Sequence, residues 1–443
     1  MNVQISTVTK RIVSLLLAIT LAQSLLLGID LSAEENKIAE SVPTNDYDVF
    51  WDILENSYPM YDYLQYRGMN LESVKESFRP YAPVGADPYT TQKFYQSILD
   101  QIQGNDIIGH LQTVELGNQA LDADYQYYCY GKAEIPDDEW IQMIQPIMEK
   151  QEVLNFYQLY EKPREKGEVP IYEVANNLYF SYHPDYNYAY VSIQSFMNED
   201  PKDQELLIDF FNNVTAQGIG NIIIDVRGNL GGYNDYWMRN LVAPNITEPM
   251  EIKNYALYPI SDRNKTYLDY YSGNSFGDNM GEPESEDELP KVYIAWDRIE
   301  KNKVPAMPAI VADDVKRLDG AFVETVRVAP SEKKALFDGK FYLLSDSASY
   351  SASEYFVSFS KRTGFATVVG TESGGDGSCV LTTYNVLPES GLLLRYNTLY
   401  GMNPDGSSSE EASTKPDVQI EAWQDALDVA VQMILDDTKK QAS

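Results

Sequence analysis

The chain has 443 residues, and its 67 acidic and 34 basic side chains give a formal net charge of −33 at neutral pH. Such an acidic surface repels nucleic acid and anionic lipid, so we expect neither as a partner. The length and the 44% hydrophobic content are sufficient for two or three domains with packed cores. Only two cysteines and two histidines occur, and we expect no metal or other cofactor.

The N-terminus has the pattern of a secretory signal. Lys10 and Arg11 precede an apolar run from Ile12 to Ile29, and small residues end at Ala33. This pattern predicts cleavage after Ala33 and a mature chain that is secreted or extracytoplasmic, at the cell surface or in the periplasm. The alternative is a retained anchor, because about 17 apolar residues are the lower limit for a membrane span. No later stretch is apolar enough to cross a bilayer, so no span is expected after signal cleavage.

Apolar spacings of three and four predict helices from about residue 47 to 104, which form a helical N-terminal domain over residues 34–110. This domain ends at a short turn that contains His110. Residues 111–185 are predicted to be a mixed helical connecting region. Residues 186–443 form the predicted core, with an insertion at about 240–335. Cys129 and Cys379 could pair in an oxidising compartment or could both be free.

The core begins with an alternating strand at 187–196, an amphipathic helix at 203–218, and a buried strand that leads into a glycine turn at 221–232. Short links between these elements imply a parallel βαβ unit. After the insertion, the sequence predicts a strand at 340–346, a helix ended by Gly364, a strand with a glycine loop, two further strands and a C-terminal amphipathic helix.

A serine-rich segment, Ser345 to Phe356, lies at a predicted junction of strand and helix. A serine there has its hydroxyl at a helix N-terminus, where free N–H groups and the helix dipole favour negative charge. An acyl-transfer enzyme needs its nucleophile and part of its oxyanion hole in such a place. The alternative is an ordinary N-cap, because serine is a preferred capping residue.

Two other segments could complete such a site. Gly231 and Gly232 follow a buried strand and could offer an N–H group to an oxyanion, or could serve a turn that needs positive φ. His110 is a candidate general base, or else a solvated or capping side chain. His183, the other histidine, has no motif around it.

These segments occur in the order typical of a known family. The chain resembles the carboxy-terminal processing protease and tricorn protease-core family of serine peptidases. The resemblance is carried by five segments: IIGHL (107–111), DVRGNLGG (225–232), SASE (351–354), GTESGGDG (370–377) and EEASTKPD (410–417). It implies an α/β, crotonase-like (ClpP/crotonase-type) core of ββα units.

By this resemblance, Ser351 is the nucleophile, rather than its neighbours Ser349 and Ser353. The backbone N–H of Ala352 and that of Gly231 or Gly232 would form the oxyanion hole.

The resemblance also bears on the general base. Processing proteases use a lysine of the glycine-rich loop, where this chain has Asp376. The chain is therefore similar to the tricorn-like branch, which implies that His110 is the base and that Glu410 helps to orient and stabilise the imidazolium. Gly109 replaces a serine of the tricorn core, and residues 111–185 look too helical for the PDZ domain usual in processing proteases.

The predicted function is that of a secreted serine-type endopeptidase, which hydrolyses peptides or unfolded proteins through an acyl-enzyme at Ser351. The alternative is a catalytically inactive peptide- or glycan-binding protein on the same fold, which Gly109 and Asp376 would favour. A glycosidase with paired carboxylates is a third class, but no specific pair stands out in the sequence.

Overall fold

A computed structural model describes residues 45–104, 107–117, 145–159, 174–198, 201–273, 275–277, 292–305, 313–331, 334–410 and 412–441. The predicted signal peptide and Cys129 lie outside these ranges. Cys379 is a buried free thiol. Within the described ranges, we find no helix with the length and apolar character that a membrane span requires.

The α-helices begin at the positions that capping and periodicity favour. Asn45 accepts a hydrogen bond from Asp48 N–H (2.9 Å) and caps the first helix, and Asp87 accepts one from Thr90 N–H (3.1 Å) and caps the fourth. The helices of the described residues are α1 (Asp46–Asn56), α2 (Tyr61–Tyr66), α3 (Leu71–Phe78), α4 (Pro88–Gln103), α5 (Gln151–Tyr157), α6 (Pro201–Ala216), α7 (Asn234–Trp237), α8 (Asp262–Tyr271), α9 (Ala352–Thr363) and α10 (Ala426–Gln441).

The strands form three sheets in the described part of the chain. They are β1 (Gln112–Thr113), β2 (Leu178–His183), β3 (Tyr188–Ile193), β4 (Asn221–Asp225), β5 (Met250–Tyr258), β6 (Ser275–Gly277), β7 (Val292–Arg298), β8 (Gly320–Val328), β9 (Lys340–Ser345), β10 (Thr367–Gly370), β11 (Thr382–Val386), β12 (Leu393–Asn397), β13 (Tyr400–Met402) and β14 (Val418–Gln419).

The central sheet has six strands in the order β14-β10-β9-β4-β3-β2. All neighbours are parallel except β2 and β3, which pair antiparallel. Strands β2 and β3 followed by α6 make a ββα unit, and α6 connects β3 to the parallel strand β4. The predicted α/β class and the predicted βαβ unit are therefore confirmed.

Strand β2 was missed within a region predicted to be mixed and helical. Its apolar side chains alternate: Leu178 and Phe180 pack against the core, while Tyr179 is mostly exposed. Phe180 stacks on Phe210 of α6 with ring centroids 4.9 Å apart. The period of two was present in the sequence, but the segment is short and rich in tyrosine, which is amphipathic and marks neither face clearly.

The second sheet has five antiparallel strands in the order β13-β5-β8-β7-β6. Four of these strands belong to the segment predicted as an insertion at 240–335. The fifth, β13, comes from further along the chain and pairs with β5. The insertion segment is thus hydrogen-bonded to a strand that lies just before the Glu410 loop.

The N-terminal helices share a hydrophobic core with the three-stranded sheet β1-β12-β11. Phe50 and Trp51 of α1 lie in one apolar cluster with Leu393 and Tyr396 of β12. This packing fixes the end of α4, and hence the His110 turn, against the sheet that contains β12. The predicted domain boundaries at 110 and 185 stay predictions.

Candidate active site

Ser351 lies at a sharp elbow between β9 and α9. Its backbone has φ 55° and ψ −123°, which a side chain with a Cβ rarely adopts. Its hydroxyl makes no capping hydrogen bond to the helix that it precedes. The alternative of an ordinary serine cap therefore does not describe this residue, and the strained backbone leaves the hydroxyl available for another purpose.

The two neighbouring serines are buried, whereas Ser351 is only partly buried. Ser349 Oγ donates to the Val226 carbonyl (2.9 Å) and accepts from Asp346 N–H (3.1 Å), so its role is structural. Ser353 Oγ has no hydrogen-bond partner in the described part of the chain. Of the three hydroxyls, that of Ser351 is the one with both solvent access and an unusual backbone.

The polar residues of the DVRGNLGG segment hold its glycine turn in place. Arg227 pairs with Asp225 (Nη2 to Oδ2, 2.7 Å), directly after β4. Asn229 donates to the Ile193 carbonyl (3.1 Å) and accepts from Gly231 N–H (2.9 Å). The turn is thus fixed by side chains of its own sequence, which explains the mixture of charged and glycine residues.

The glycine turn lies directly against the serine elbow. A Cβ on Gly231 would be 2.9 Å from both the Ala352 nitrogen and Ser351 Cβ, closer than side chains pack. Gly231 N–H is already bound to Asn229, whereas the N–H groups of Ala352 and Gly232 have no acceptor among the described residues. These two donors are the ones that could face a developing oxyanion, which favours Gly232 over Gly231 for this role.

The glycine-rich loop 370–377 packs on the other side of the elbow. Ser351 N–H donates to the Gly375 carbonyl (3.3 Å), and Gly374 N–H donates to the Ser349 carbonyl (2.8 Å). The next residue, Asp376, donates its N–H to the Ser409 carbonyl (3.3 Å). The elbow is therefore enclosed between two glycine segments, one of which carries a buried carboxylate.

His110 is 6% exposed, and its Nδ1 is hydrogen-bonded to Asp376 Oδ2. Tyr350 lies beside the imidazole, with ring centroids 5.4 Å apart, and its hydroxyl lies 3.2 Å from both the same carboxylate oxygen and the Ile107 carbonyl oxygen. The sequence identified Asp376 only as the replacement of a family lysine. An acid in the glycine-rich loop that follows the Ser351 segment, in a chain where only one of two histidines lies in a motif, was the signal that could have revealed this pairing.

The His110 turn has an unusual backbone, because Gly109 and His110 both have positive φ (55° and 54°). Gln103 at the end of α4 holds the turn: it accepts from Ile108 N–H (2.7 Å) and donates to the Leu111 carbonyl (2.9 Å). A Cβ on residue 109 would also lie 2.9 Å from Met60 Cγ. Glycine is therefore the residue that this turn requires.

Glu410 lies against the same turn, since its Oε2 accepts a hydrogen bond from Gly109 N–H (3.3 Å). The predicted site residues thus fall into two groups. Ser351, Ala352 and the two glycines form the elbow, and His110 and Glu410 form the turn. Asp376 and Tyr350 connect the groups. In the described residues, Ser351 Oγ makes no hydrogen bond to His110 or to any other group, and such contacts often tighten only when substrate binds.

Burial and nearby negative charge raise the pKa of the two tyrosine hydroxyls around the imidazole. Burial, with the nearby carboxylates of Asp376 and Glu410 adding to it, raises the pKa of the Tyr350 hydroxyl well above its usual value. The pKa of Tyr58 is raised for the same reasons, and its hydroxyl donates to the Ile108 carbonyl (2.6 Å). Both phenols therefore remain hydrogen-bond donors. Within the described ranges, no group of three or more His, Cys, Asp and Glu side chains is arranged to hold a metal ion.

Comparison with known protein families matches the chain to Peptidase family S41 over residues 187–420, more than half of its length. The chain belongs to peptidase family S41. The predicted resemblance is confirmed, and the S41 family supports a serine peptidase that acts on peptides or proteins. Ser351, Asp376 and Glu410 lie inside the matched S41 segment, whereas His110 precedes it.

No curated protein matches this S41 chain. Similar solved structures include a candidate peptidase from Parabacteroides merdae ATCC 43184, at 15% identity over 89% of this chain and 98% of that one, with a TM-score of 0.49. A lipoprotein from Streptococcus agalactiae has 11% identity over 90% and 99% of the two chains, with a TM-score of 0.41. The photosystem II D1 C-terminal processing protease has 12% identity over 88% and 96%, with a TM-score of 0.39. Because these scores are below 0.5, the S41 assignment depends on the family match alone.

The close approach of Gly231 to the elbow predicts a difference between two alanine variants. Gly231→Ala and Gly228→Ala both place a side chain at positive φ, but a Cβ on Gly228 meets nothing within 4 Å. We expect Gly231→Ala to lose about 1–3 kcal/mol more unfolding free energy than Gly228→Ala, because the backbone atoms that it meets cannot move aside. Chemical denaturation measures the difference, and equal losses would show that the turn does not contact the elbow.

Glu354, in the first turn of α9, gives a pH prediction. Burial raises the pKa of its carboxyl from 4.5 to about 7, and its Oε1 accepts from Thr414 Oγ1 (2.7 Å). The folded state favours the protonated Glu354 carboxyl. Protonation of Glu354 therefore makes its full contribution to the free energy of unfolding below about pH 4.5, and this contribution is lost as the pH rises through 7. We expect the stability of Glu354→Gln relative to the parent chain to increase by about 3 kcal/mol between pH 4.5 and 8. Denaturation curves at several pH values test this, and a constant difference would contradict it.

Proposed function

We propose that the chain is a secreted serine endopeptidase, with Ser351 as the nucleophile and His110 as the general base. The single observation that carries this proposal is the elbow at Ser351: an uncapped, partly exposed hydroxyl on strained backbone, enclosed by two glycine segments and adjoining residues that contact a buried histidine. Strain of this kind persists where the surroundings enforce it, and it is common at catalytic residues.

The proposed reaction has two steps. The Ser351 Oγ–H bond breaks and its proton goes to His110 Nε2, while Oγ forms a bond to the substrate carbonyl carbon and the π pair moves to the carbonyl oxygen. The imidazolium then gives this proton to the amide nitrogen as the C–N bond breaks, which leaves an acyl-enzyme. Water, deprotonated by the same imidazole, then forms a bond to the ester carbonyl carbon. As the carbonyl reforms, the C–Oγ bond breaks, the imidazolium returns its proton to Ser351 Oγ, and the second product leaves as a carboxylic acid.

The N–H groups of Ala352 and Gly232 would stabilise the oxyanion of both steps. Ala352 is the first residue of α9, so the helix dipole adds to its donor N–H. A pair of fixed donors needs no reorganisation when charge develops, which is the physical basis of oxyanion stabilisation. The hydrogen bond from Gly231 N–H to Asn229 Oδ1 keeps the turn rigid.

Glu410 would help to orient and stabilise the imidazolium. Support for this role comes from its contact with Gly109 N–H, one residue before His110. Its negative charge also reaches the neighbouring buried hydroxyls, because it contributes to the raised pKa of both Tyr58 and Tyr350. A carboxylate close to an imidazolium lowers the free energy of the positive ring.

Apolar side chains at the rim of the site would contact the substrate. Leu230 is 69% exposed beside Gly231, and Tyr233 and Ile107 are also exposed. Such residues next to a nucleophile suit the side chains of an extended peptide. An unfolded segment that lies between them would present an internal bond to Ser351, as an endopeptidase requires.

We expect Ser351→Ala and His110→Ala each to reduce hydrolysis of an unstructured peptide by at least about a thousandfold, because nucleophile and base act as a unit. The peptide carries an acetylated N-terminus and an amidated C-terminus, so cleavage identified by mass spectrometry must be internal. Ser353→Ala is the matched control: it removes a buried hydroxyl that has no partner among the described residues. We expect it to retain activity and labelling by a fluorophosphonate.

Turnover that survives either Ser351→Ala or His110→Ala would overturn the assignment. Absence of turnover and of fluorophosphonate labelling in the parent chain, together with tight peptide binding, would instead indicate the inactive binding protein. Release of terminal residues alone, from peptides with free ends, would contradict the endopeptidase type.

We also propose that the chain is exported, on the basis of the positive residues, apolar run and small-residue end of its first 33 residues. Expression in a host with a general secretion pathway should give a protein outside the cytoplasm whose N-terminal sequence begins at Glu34. Recovery of the uncut N-terminus in a membrane fraction would contradict cleavage.

A further inference from the structure

We propose that Asp376 is the positioning residue for the His110 imidazole, so that the working arrangement is serine, histidine and this aspartate. The proposal rests on the proposed function and deepens it. It begins from a direct contact: Asp376 Oδ2 is the hydrogen-bond partner of His110 Nδ1, and the aspartate side chain is 1% exposed. The site residues inferred from the sequence did not include this carboxylate.

The contact selects one tautomer of the imidazole. A carboxylate accepts hydrogen bonds, so its partner Nδ1 carries the hydrogen in the neutral ring. The hydrogen on Nδ1 leaves the lone pair on Nε2, which is the atom that must accept the Ser351 proton. Once Nε2 is protonated, the same carboxylate faces a positive ring and stabilises it.

The loop that carries Asp376 also holds the nucleophile. Gly375, the preceding residue, accepts the hydrogen bond from Ser351 N–H (3.3 Å). A Cβ on Gly377, the following residue, would be 2.5 Å from Glu354 Cγ in the first turn of α9. The carboxylate is therefore fixed on both sides to the elbow, and its distance from Ser351 cannot change without movement of the loop.

Tyr350 supports the same oxygen of the carboxylate. Its hydroxyl lies 3.2 Å from both Asp376 Oδ2 and the Ile107 carbonyl oxygen, so its one hydrogen can be donated to either, and its ring lies beside the imidazole. The other oxygen, Oδ1, is buried and has no partner among the described residues. Within the described ranges, the groups that can donate to this carboxylate are thus the His110 imidazole and the Tyr350 phenol, both at Oδ2.

Glu410 acts at a different atom. Its Oε2 accepts from the backbone N–H of Gly109, so it holds the turn on which the imidazole stands. Nδ1 can have one hydrogen-bond partner in its ring plane, and that position is taken by Asp376. Substitutions of the two carboxylates are therefore expected to have different effects. Loss of the aspartate should change the tautomer of the His110 imidazole, and loss of the glutamate should affect the turn that carries it.

The test uses the purified chain labelled with ¹⁵N-histidine, in which only two histidines contribute signals. The other histidine, His183, lies on β2 and stacks on Tyr188. Because His183→Gln removes its signals, the resonances that remain belong to His110. We expect the ¹⁵N shifts of neutral His110 to show hydrogen on Nδ1. We expect Asp376→Asn to abolish this preference, because its amide can donate to Nδ1, and Glu410→Gln to preserve it.

We expect Asp376→Asn to lower kcat by at least about a hundredfold and to change KM by less than about threefold. The reason is that the lost interaction stabilises the transition state rather than the bound substrate. Asp376→Glu keeps the charge and should recover part of the loss. The substrate is the unstructured peptide with an acetylated N-terminus and an amidated C-terminus. A change confined to KM, or a kcat within about threefold of the parent value, would overturn the proposal.

The tautomer measurement keeps the proposal falsifiable if Asp376→Asn does not fold. Hydrogen on Nε2 in the parent chain would overturn the role of Asp376 without any variant. An effect of Glu410→Gln, but not Asp376→Asn, on the tautomer would transfer the role to Glu410. If the parent chain shows the Nδ1–H tautomer but neither hydrolyses peptides nor is labelled at Ser351, the proposed function fails while the positioning contact stands.

Discussion

The candidate site depends on the backbone conformation of Ser351. Residue 351 keeps φ 55° and ψ −123° because glycine segments press on it from two sides. Gly231 approaches so closely that any side chain would overlap Ser351 Cβ, and Gly375 binds the Ser351 N–H. Each of these glycine segments follows a strand of the central parallel sheet, so the sheet order brings them to one edge. The cost of the elbow, about 1–3 kcal/mol, is offset by this packing.

Charge is the second constraint, because Asp376 contacts the buried His110 and Glu410 contacts the turn that carries it. Two carboxylates lie near one imidazole, and the tyrosine hydroxyls beside them remain protonated donors. In the proposed reaction, the carboxylate that accepts from His110 Nδ1 would stabilise the imidazolium. The strongly negative overall charge of the chain does not explain this arrangement, since exposed charges are screened over about 10 Å whereas the site carboxylates are in direct contact with the turn.

The strands and helices of the core could be predicted because each carries a local signal. Strand β4 is a continuous apolar run, α9 ends at Gly364, and the glycine turn after β4 is marked in the sequence. Strand β2 was missed because tyrosines mask its alternation. The His110–Asp376 contact could not be predicted from spacing, since its partners are separated by 266 positions and meet only when the N-terminal helices pack on the core. The sequence identified both residues but assigned the aspartate no partner.

The position of Asp376 links two parts of the candidate site. Asp376 adjoins the Ser351 elbow through Gly375, whose carbonyl accepts from Ser351 N–H. Its short carboxylate also binds an imidazole supplied by another part of the chain. The helical region then becomes part of the site, because Gln103, at the end of α4, fixes the His110 turn. The complete candidate site therefore depends on the packing of the N-terminal helices against the sheet that contains β12, because those helices supply the His110 turn that Asp376 contacts.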